Sequence, residues 1–349
     1  MDLGAEIIDQ ASEQFLQQMV VEEHFSGAAL VMRGDDIVHA RAYGPATLDA
    51  SNRLDTIFHV ASMTKEFTAA AVMQLVEQGM IDLEGSINDY LPERYRSEKW
   101  SSVKVRHLLS HTSGVPDYAE TRDYYDVVDG WAFGDTVDGM IREAMDKDLQ
   151  FEPGSDFYYS NIGFTLLGEI LQEQSGQPYA AFIQDNVLDP AGMTNSRIHV
   201  EGHEPRPGEA AGLRWDEEKG RHVKDDILSL PVTPPDGGLA TTLSDFIKWI
   251  SVYRDMSHPK LSAASLERMM QPSIPPVSYL WPDQGLRGEA SYGFGLTLSG
   301  DLIMHEGYIV GFRSHFIYSR DDDLLIAVFT NNTSNDVFRM SSGLFAINQ

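Results

Sequence analysis

Three short patterns in this chain hold the residue types needed to transfer an acyl group. The first is Ser62-Met63-Thr64-Lys65, a hydroxyl and an amine three positions apart. Residues so spaced share a helix face, so the amine can reach the hydroxyl. A serine hydroxyl is a poor nucleophile until a base takes its proton, and an amine serves once burial or nearby positive charge lowers its pKa. The second pattern is Tyr159-Ser160-Asn161, the only Tyr-x-Asn in the chain; the third is His305-Glu306-Gly307. No G-x-S-x-G elbow accompanies a His and an Asp, which disfavours a Ser-His-Asp arrangement.

Spacing alone is weak evidence. Ser101-Ser102-Val103-Lys104 and Ser257-His258-Pro259-Lys260 repeat the first pattern. Context separates the three. Ser62 follows the apolar stretch Ile57 to Ala61 and opens the strongest helix pattern, Lys65 to Gln78, with Gly79 as its stop. A helix start adds positive potential and unpaired N–H groups beside a nucleophile. Lys104 reads as a surface residue, and Pro259 makes the Ser257 copy a loop. Each site pattern also has a plain structural reading: Ser62 as an N-cap, Tyr159 as core with Asn161 capping the helix that starts at Ile162, and His305 as exposed beside a bulge.

Strand-like segments flank a helical middle. Leu3, Ile7, Ala11, Phe15 and Met19 mark an amphipathic N-terminal helix. Ala28 to Met32 and Ile37 to Tyr43, joined by Gly34-Asp35-Asp36, read as a β-hairpin. Leu302 to Met304, Gly311 to Tyr318 and Leu324 to Thr330 form a second β block, closed by a helix from Asn335 to Ile347. Ile162 to Gln174 is a further helix, and 204–212, 231–238 and 272–285 read as Pro/Gly-rich loops. The expected fold is α/β: an antiparallel sheet built from both termini and flanked by helices, with an inserted, mainly helical lobe. The expected division is 1–61 with 286–349 for the sheet and 62–285 for the lobe, the active site lying in the cleft between.

Of the 349 residues, 42% are hydrophobic and 23% charged, and the formal net charge is −27. Such a surface repels phosphate backbones and anionic membranes, so neither is an expected partner; a small-molecule or peptide substrate is what the acyl-transfer chemistry above asks for. No apolar run is long enough to span a bilayer. The absence of cysteine removes thiolate chemistry and disulfides, and no H-E-x-x-H pattern suggests a metal; no cofactor is expected. The first twenty residues carry Asp2, Glu6, Asp9 and Glu13 but no Lys or Arg, unlike a secretory signal. That leaves a cytoplasmic protein, or a periplasmic or secreted one whose leader has been removed.

Taken together, the patterns resemble the serine β-lactamase and penicillin-binding-protein superfamily. The resemblance is to the branch of class C β-lactamases and DD-peptidases, which also holds D-aminopeptidases, D-amino-acid amidases and carboxylesterases. The motifs S-x-x-K, Y-[AS]-N and [KH]-x-G fall on Ser62/Lys65, Tyr159/Asn161 and His305/Gly307. The stretches 73–79, 108–114 and 237–242 add to the likeness, which runs from about residue 25 to 332. The resemblance implies Ser62 as nucleophile, with Lys65 or Tyr159 as base. Asn161, His305, Gly307 and Tyr308 would bind substrate, with the backbone N–H groups of Ser62 and Tyr308 facing the oxyanion. The deacylating water would be activated near Tyr159. Lactamases of this branch usually carry lysine where His305 stands, whereas peptidases and several esterases carry histidine. With an ordinary pKa of about 6.5, histidine is only fractionally charged near neutrality. The expected activity is therefore that of a D-stereospecific peptidase or amidase similar to DD-carboxypeptidases. The alternatives are a carboxylesterase with weak β-lactamase activity and a non-catalytic scaffold. His111 and Ser113 read as structural, as does Arg313, whose other reading is contact with a carboxylate.

Overall fold

Seven short runs rich in β-branched and aromatic residues join into one antiparallel sheet. The computed structural model describes residues 6–117, 137–200, 205–225, 233–274 and 290–349. In chain order the strands are β1 (Gly27–Arg33), β2 (Asp36–Tyr43), β3 (Ser291–Tyr292), β4 (Thr297–Ser299), β5 (Leu302–Ile309), β6 (Phe312–Ser319) and β7 (Leu324–Thr330). Across the sheet they run β3-β4-β5-β6-β7-β1-β2. The joint between the two ends of the chain is β1 on β7, in register from Gly27 opposite Thr330 to Arg33 opposite Leu324. Every residue of β7 is buried, as a strand covered on both faces requires.

Two layers cover those faces. On one lie α1 (Gln10–Glu23) and the closing helix Val337–Asn348, whose Leu16, Met19, Leu344 and Phe345 pack on Val31, Ile326 and Val328. On the other, Phe58, Phe246, Phe316 and Phe329 join the larger core, which continues into the helices of the middle of the chain. The helix α1 starts later than the sequence pattern suggests. Asp9 caps it by accepting from the Ser12 N–H at 2.9 Å, while Ile7 exchanges backbone hydrogen bonds with Ala40. Its buried stripe is Ser12, Leu16 and Met19. A strict step of four advances 400° per step and drifts around a helix of 3.6 residues per turn. Leu3 lies outside the described residues.

The middle of the chain contributes α2 (Thr64–Glu77) and α3 (Asn161–Ser175). Gly79 and Gly176, at φ of +72° and +68°, follow their ends as left-handed stops. Twelve of the fourteen residues of α2 are buried, Lys65 and Glu66 among them; a helix enclosed on all sides has no polar face to spare. The middle also holds a small sheet of Phe58–His59, Leu239–Thr241 and Arg197–Ile198, with Leu239–Thr241 central, and the hairpin Leu213–Asp216/Arg221–Lys224. Within the loop expected at 231–238, Pro234–Gly237 forms a helical turn; residues 231–232, 204 and 275–285 of the expected loops lie outside the described residues. Among the described residues no helix is long and apolar enough to cross a membrane.

Glu66 makes stability depend on pH. Its Oε2 accepts from Trp249 Nε1 at 2.7 Å and from the Tyr253 hydroxyl at 2.8 Å. Burial pushes its pKa up from 4.5 to about 8, against those two hydrogen bonds. A group raised on folding binds more protons in the native state, so its contribution is complete below pH 4.5 and is lost as pH rises through about 8. Glu66→Gln, which cannot ionise, is expected to flatten that part of the profile. Urea midpoints of both proteins across pH 4 to 9 measure it; parallel curves would refute the assignment.

Candidate active site

The nucleophile candidate sits on a turn that other elements hold in place. Ser62 lies in the 3-10 turn Ala61–Met63, immediately before α2. Ala61 has φ of +46°, a conformation that costs a residue with a Cβ about 1 kcal/mol or more. Hydrogen bonds from neighbouring elements oppose that strain. Val60 N–H donates to Leu239 O at 3.0 Å, Leu239 N–H to Thr64 Oγ1 at 2.9 Å, and Thr64 Oγ1–H to Ala61 O at 2.7 Å. From the sheet, Ser314 Oγ donates to Val60 O at 2.9 Å. Gly307 permits this approach, because a Cβ there would lie 2.0 Å from Val60 O and 2.4 Å from Ser314 Oγ.

Lys65 occupies the centre. Its Nζ donates to Ser62 Oγ at 2.9 Å, Asn161 Oδ1 at 2.8 Å and Asp236 O at 2.9 Å, and the residue has no exposed surface. Burial lowers its pKa from 10.5 to about 8, although Asp236, Asp117 and Glu306 pull it back up. The Asp236 carbonyl is positioned by its turn, since Thr68 Oγ1 on α2 donates to Pro235 O at 2.7 Å. The amine stands 4.8 Å from the Tyr159 ring centroid, within the range of a cation–π contact. Tyr159 is hydrogen-bonded to Ser62, yet burial first, and the neighbouring Tyr292 second, raise its pKa well above 10. The first and second sequence patterns therefore meet at Ser62.

Asn161 does not cap its helix. Ser160 does, accepting from Gly163 N–H at 3.1 Å, and Asn161 is the first helical residue. Asp117 holds it. The Asp117 carboxylate accepts from Asn161 N–H at 2.6 Å, Asn161 Nδ2 at 3.1 Å and Ile162 N–H at 3.3 Å. His111 supports the same segment: Nδ1 accepts from Ser160 N–H at 3.1 Å, and its ring lies 4.1 Å from that of Tyr159. Neither Asp117 nor Tyr292 stands out in the sequence. Their partners are 44 and 13 positions away, and the nearby Gly114-Val115-Pro116 is the only local cue.

His305 lies at the site but inside it, 1% exposed. Its Nδ1–H donates to Glu306 O and its Nε2 accepts from the Tyr292 hydroxyl at 2.9 Å, which defines a neutral tautomer. Burial, then the charge of Lys65, lowers its pKa to about 3. The partial charge expected from an ordinary histidine near neutrality is thus absent. Strand alternation turns Glu306 to the opposite face, in register with His315, whose ring packs on Phe338 of the closing helix. Tyr308 is 55% exposed, with the Arg313 guanidinium 4.7 Å above its ring.

The two decoys stand apart from this site. Lys104 pairs with Glu84 at 2.6 Å, and Lys260 donates to Asp185 O at 3.0 Å and Asn186 Oδ1 at 2.8 Å, both on exposed ground. Among the described residues, His59, His199 and Glu209 offer three buried atoms within 4.8 Å of one another that could hold a metal. Glu209, however, accepts from His59 Nε2 at 2.9 Å and from Arg197 at 3.2 Å, and pairs with Arg206 at 3.5 Å. Against burial, these partners hold its pKa down to about 2. A divalent ion would add two positive charges where two guanidiniums already face one carboxylate. The group reads as a buried ion-pair network behind the Ser62 turn.

Known proteins are similar to this chain in fold and in sequence. The chain is 28% identical over 358 residues to penicillin-binding protein 4* of Bacillus subtilis, covering 94% of this chain and 73% of that one. It is 27% identical over 315 residues to the D-aminopeptidase of Gluconobacter oxydans, covering 88% of this chain but only 56% of the relative. The solved octameric penicillin-binding protein homologue from Pyrococcus abyssi superposes with a TM-score of 0.83 at 27% identity, over 100% of this chain and 77% of that one. The β-lactamase family model matches residues 12–344. With so little of the chain outside that match, this protein belongs to the β-lactamase family and is a serine hydrolase.

Proposed function

We propose that the protein cleaves D-configured peptides or amides through an acyl-enzyme on Ser62, with Lys65 as general base. One observation carries the reading: three partners saturate a buried amine, and only one of them has a proton to give. Asn161 Oδ1 and Asp236 O are acceptors. Once Lys65 is neutral, two N–H bonds serve those oxygens and its lone pair is left for the Ser62 hydroxyl. A pKa of about 8 makes the neutral amine accessible near physiological pH, whereas the raised Tyr159 pKa disfavours a phenolate.

In the proposed cycle the Ser62 proton passes to Lys65 as Oγ bonds to the substrate carbonyl carbon. The developing oxyanion meets the backbone N–H groups of Ser62 and Tyr308, each worth about 10²–10³ in rate. The C–N bond breaks as the leaving amine takes the proton from Lys65, relayed by the Tyr159 hydroxyl. Water then gives a proton to the same groups and attacks the ester, releasing the acid and restoring Ser62. Asn161 keeps Lys65 in place and lends a donor to the substrate carbonyl. The neutral His305 offers no permanent cation to a substrate carboxylate, which supports amides and aminopeptidase-type substrates over β-lactams. The same neutrality supports a carboxylesterase as the second reading.

Ser62→Ala is expected to lower turnover by on the order of 10⁴–10⁶ while unfolding stays cooperative, with a lowered midpoint because the buried Lys65 loses one of its three acceptors. Intact mass after fluorophosphonate treatment should show one adduct on the wild type and none on the variant. An unmodified wild type would instead favour a non-catalytic scaffold. Rates on D-alanine p-nitroanilide, its L-isomer, a D-Ala-D-Ala peptide, p-nitrophenyl esters and nitrocefin separate the enzymatic readings.

With a base lowered to about 8, kcat/KM should rise with pH through that value and level off above it. A rise only above pH 10 would transfer the role to Tyr159. His305→Lys, which supplies a cation, is expected to shift preference toward carboxylate-bearing substrates. An unchanged ratio of kcat/KM between carboxylate-bearing and neutral substrates would remove residue 305 from recognition.

A further inference from the structure

We propose that Asp117 is a positioning residue that keeps the oxygen of the Asn161 amide turned toward Lys65. The inference rests on the reading above, in which Lys65 activates Ser62, and it extends that reading to a residue contacting neither group directly in the hydrogen bonds described.

The geometry leaves the amide one sense. Asp117 Oδ1 accepts the main-chain N–H groups of Asn161 and Ile162, at 2.6 and 3.3 Å, while Oδ2 accepts Asn161 Nδ2 at 3.1 Å. A carboxylate has only acceptors, so it selects the nitrogen of the side-chain amide. The amide oxygen then faces the other way, onto Lys65 Nζ at 2.8 Å. Reversing the amide would set an NH₂ group against the lysine and an oxygen against the carboxylate, losing two buried hydrogen bonds and adding two repulsive contacts. Asp117 is itself only 9% exposed, so water screens the arrangement weakly.

Asp117 also biases the charge of the base. Among the described residues, the other ionisable groups around Lys65 are Asp236 in its turn, Glu306 and His305 on β5, His111, Tyr159 and Tyr292. His305 and His111 are held neutral by burial, and Tyr159 and Tyr292 have raised pKa values. The charges that favour the ammonium are those of Asp236, Asp117 and Glu306.

Asp117→Asn separates positioning from support of the helix. Its side-chain oxygen still accepts the two main-chain N–H groups, but its NH₂ now opposes the Asn161 NH₂, which must turn its nitrogen toward Lys65. The expected result is a fall of about 100-fold in kcat/KM with the acid limb displaced to lower pH, because a charge favouring the ammonium is gone. In the Asn161→Ala background the same substitution should cost little further rate, since the amide it orients is missing. NMR of isotopically labelled lysine should show the Lys65 titration moving to lower pH whether or not any substrate turns over. Asp117→Ser, an uncharged capping residue, replaces Asp117→Asn if the latter fails to fold. An unmoved Lys65 titration, or full additivity with Asn161→Ala, would overturn the role of Asp117. A wild type inert to fluorophosphonate, with the titration shift present, would instead overturn the acyl-enzyme reading alone.

Discussion

The arrangement depends on keeping an ammonium out of water at the start of a helix. Lys65 has no exposed surface, and an isolated charge so buried would discharge or unfold its surroundings. Three acceptors oppose that cost, and each comes from a different element: Ser62 from the turn before α2, Asn161 from α3, Asp236 from the turn at Pro234–Gly237. Because the amine needs all three at once, the helices and the turn cannot shift independently. Desolvation that is costly to folding is also what lowers the pKa toward a useful range.

The sheet contributes through close approach at a glycine and one hydroxyl. β5 presents Gly307 to Val60 O, and Ser314 of β6 donates to the same oxygen. That oxygen belongs to the residue before the left-handed Ala61, so the strained turn is clamped between the large sheet and the small one, where Val60 N–H meets Leu239 O. The clamp in turn relies on β1 pairing with β7, which closes strands from the two ends of the chain into one surface. A distant strand pairing therefore bears on where a serine oxygen sits.

The sequence made legible those features whose cause is local. The β1–β2 hairpin, strands β5 to β7, α2 with its Gly79 stop and α3 with Gly176 follow from alternation, periodicity and punctuation. Ser62, Lys65, Tyr159 and Asn161 were legible as a set because three patterns recur in a family order. Features made by long-range contact were not. The strands Phe58–His59 and Arg197–Ile198 are two residues long and exist because Leu239–Thr241 lies between them. The start of α1 is set by Ile7 pairing with Ala40. Asp117 acts across 44 positions, and nothing local to it records that Asn161 is its partner.

His305 shows how burial can reverse what residue identity suggests. An exposed histidine titrates near neutrality and could greet an anion. Here the ring bridges the Glu306 carbonyl and the Tyr292 hydroxyl, so both nitrogens are occupied in the neutral form. Protonating it would turn the nitrogen that accepts from Tyr292 into a donor and add a second cation near Lys65. Among the described residues the cation held at the centre is Lys65, whose three donors are already engaged. A ligand carboxylate would find no charge at residue 305 to replace its hydration, and it would approach a molecule of net charge −27. Neutral and cationic ligands incur neither penalty. The neutral state of residue 305 follows from enclosure of one ring rather than from any added contact.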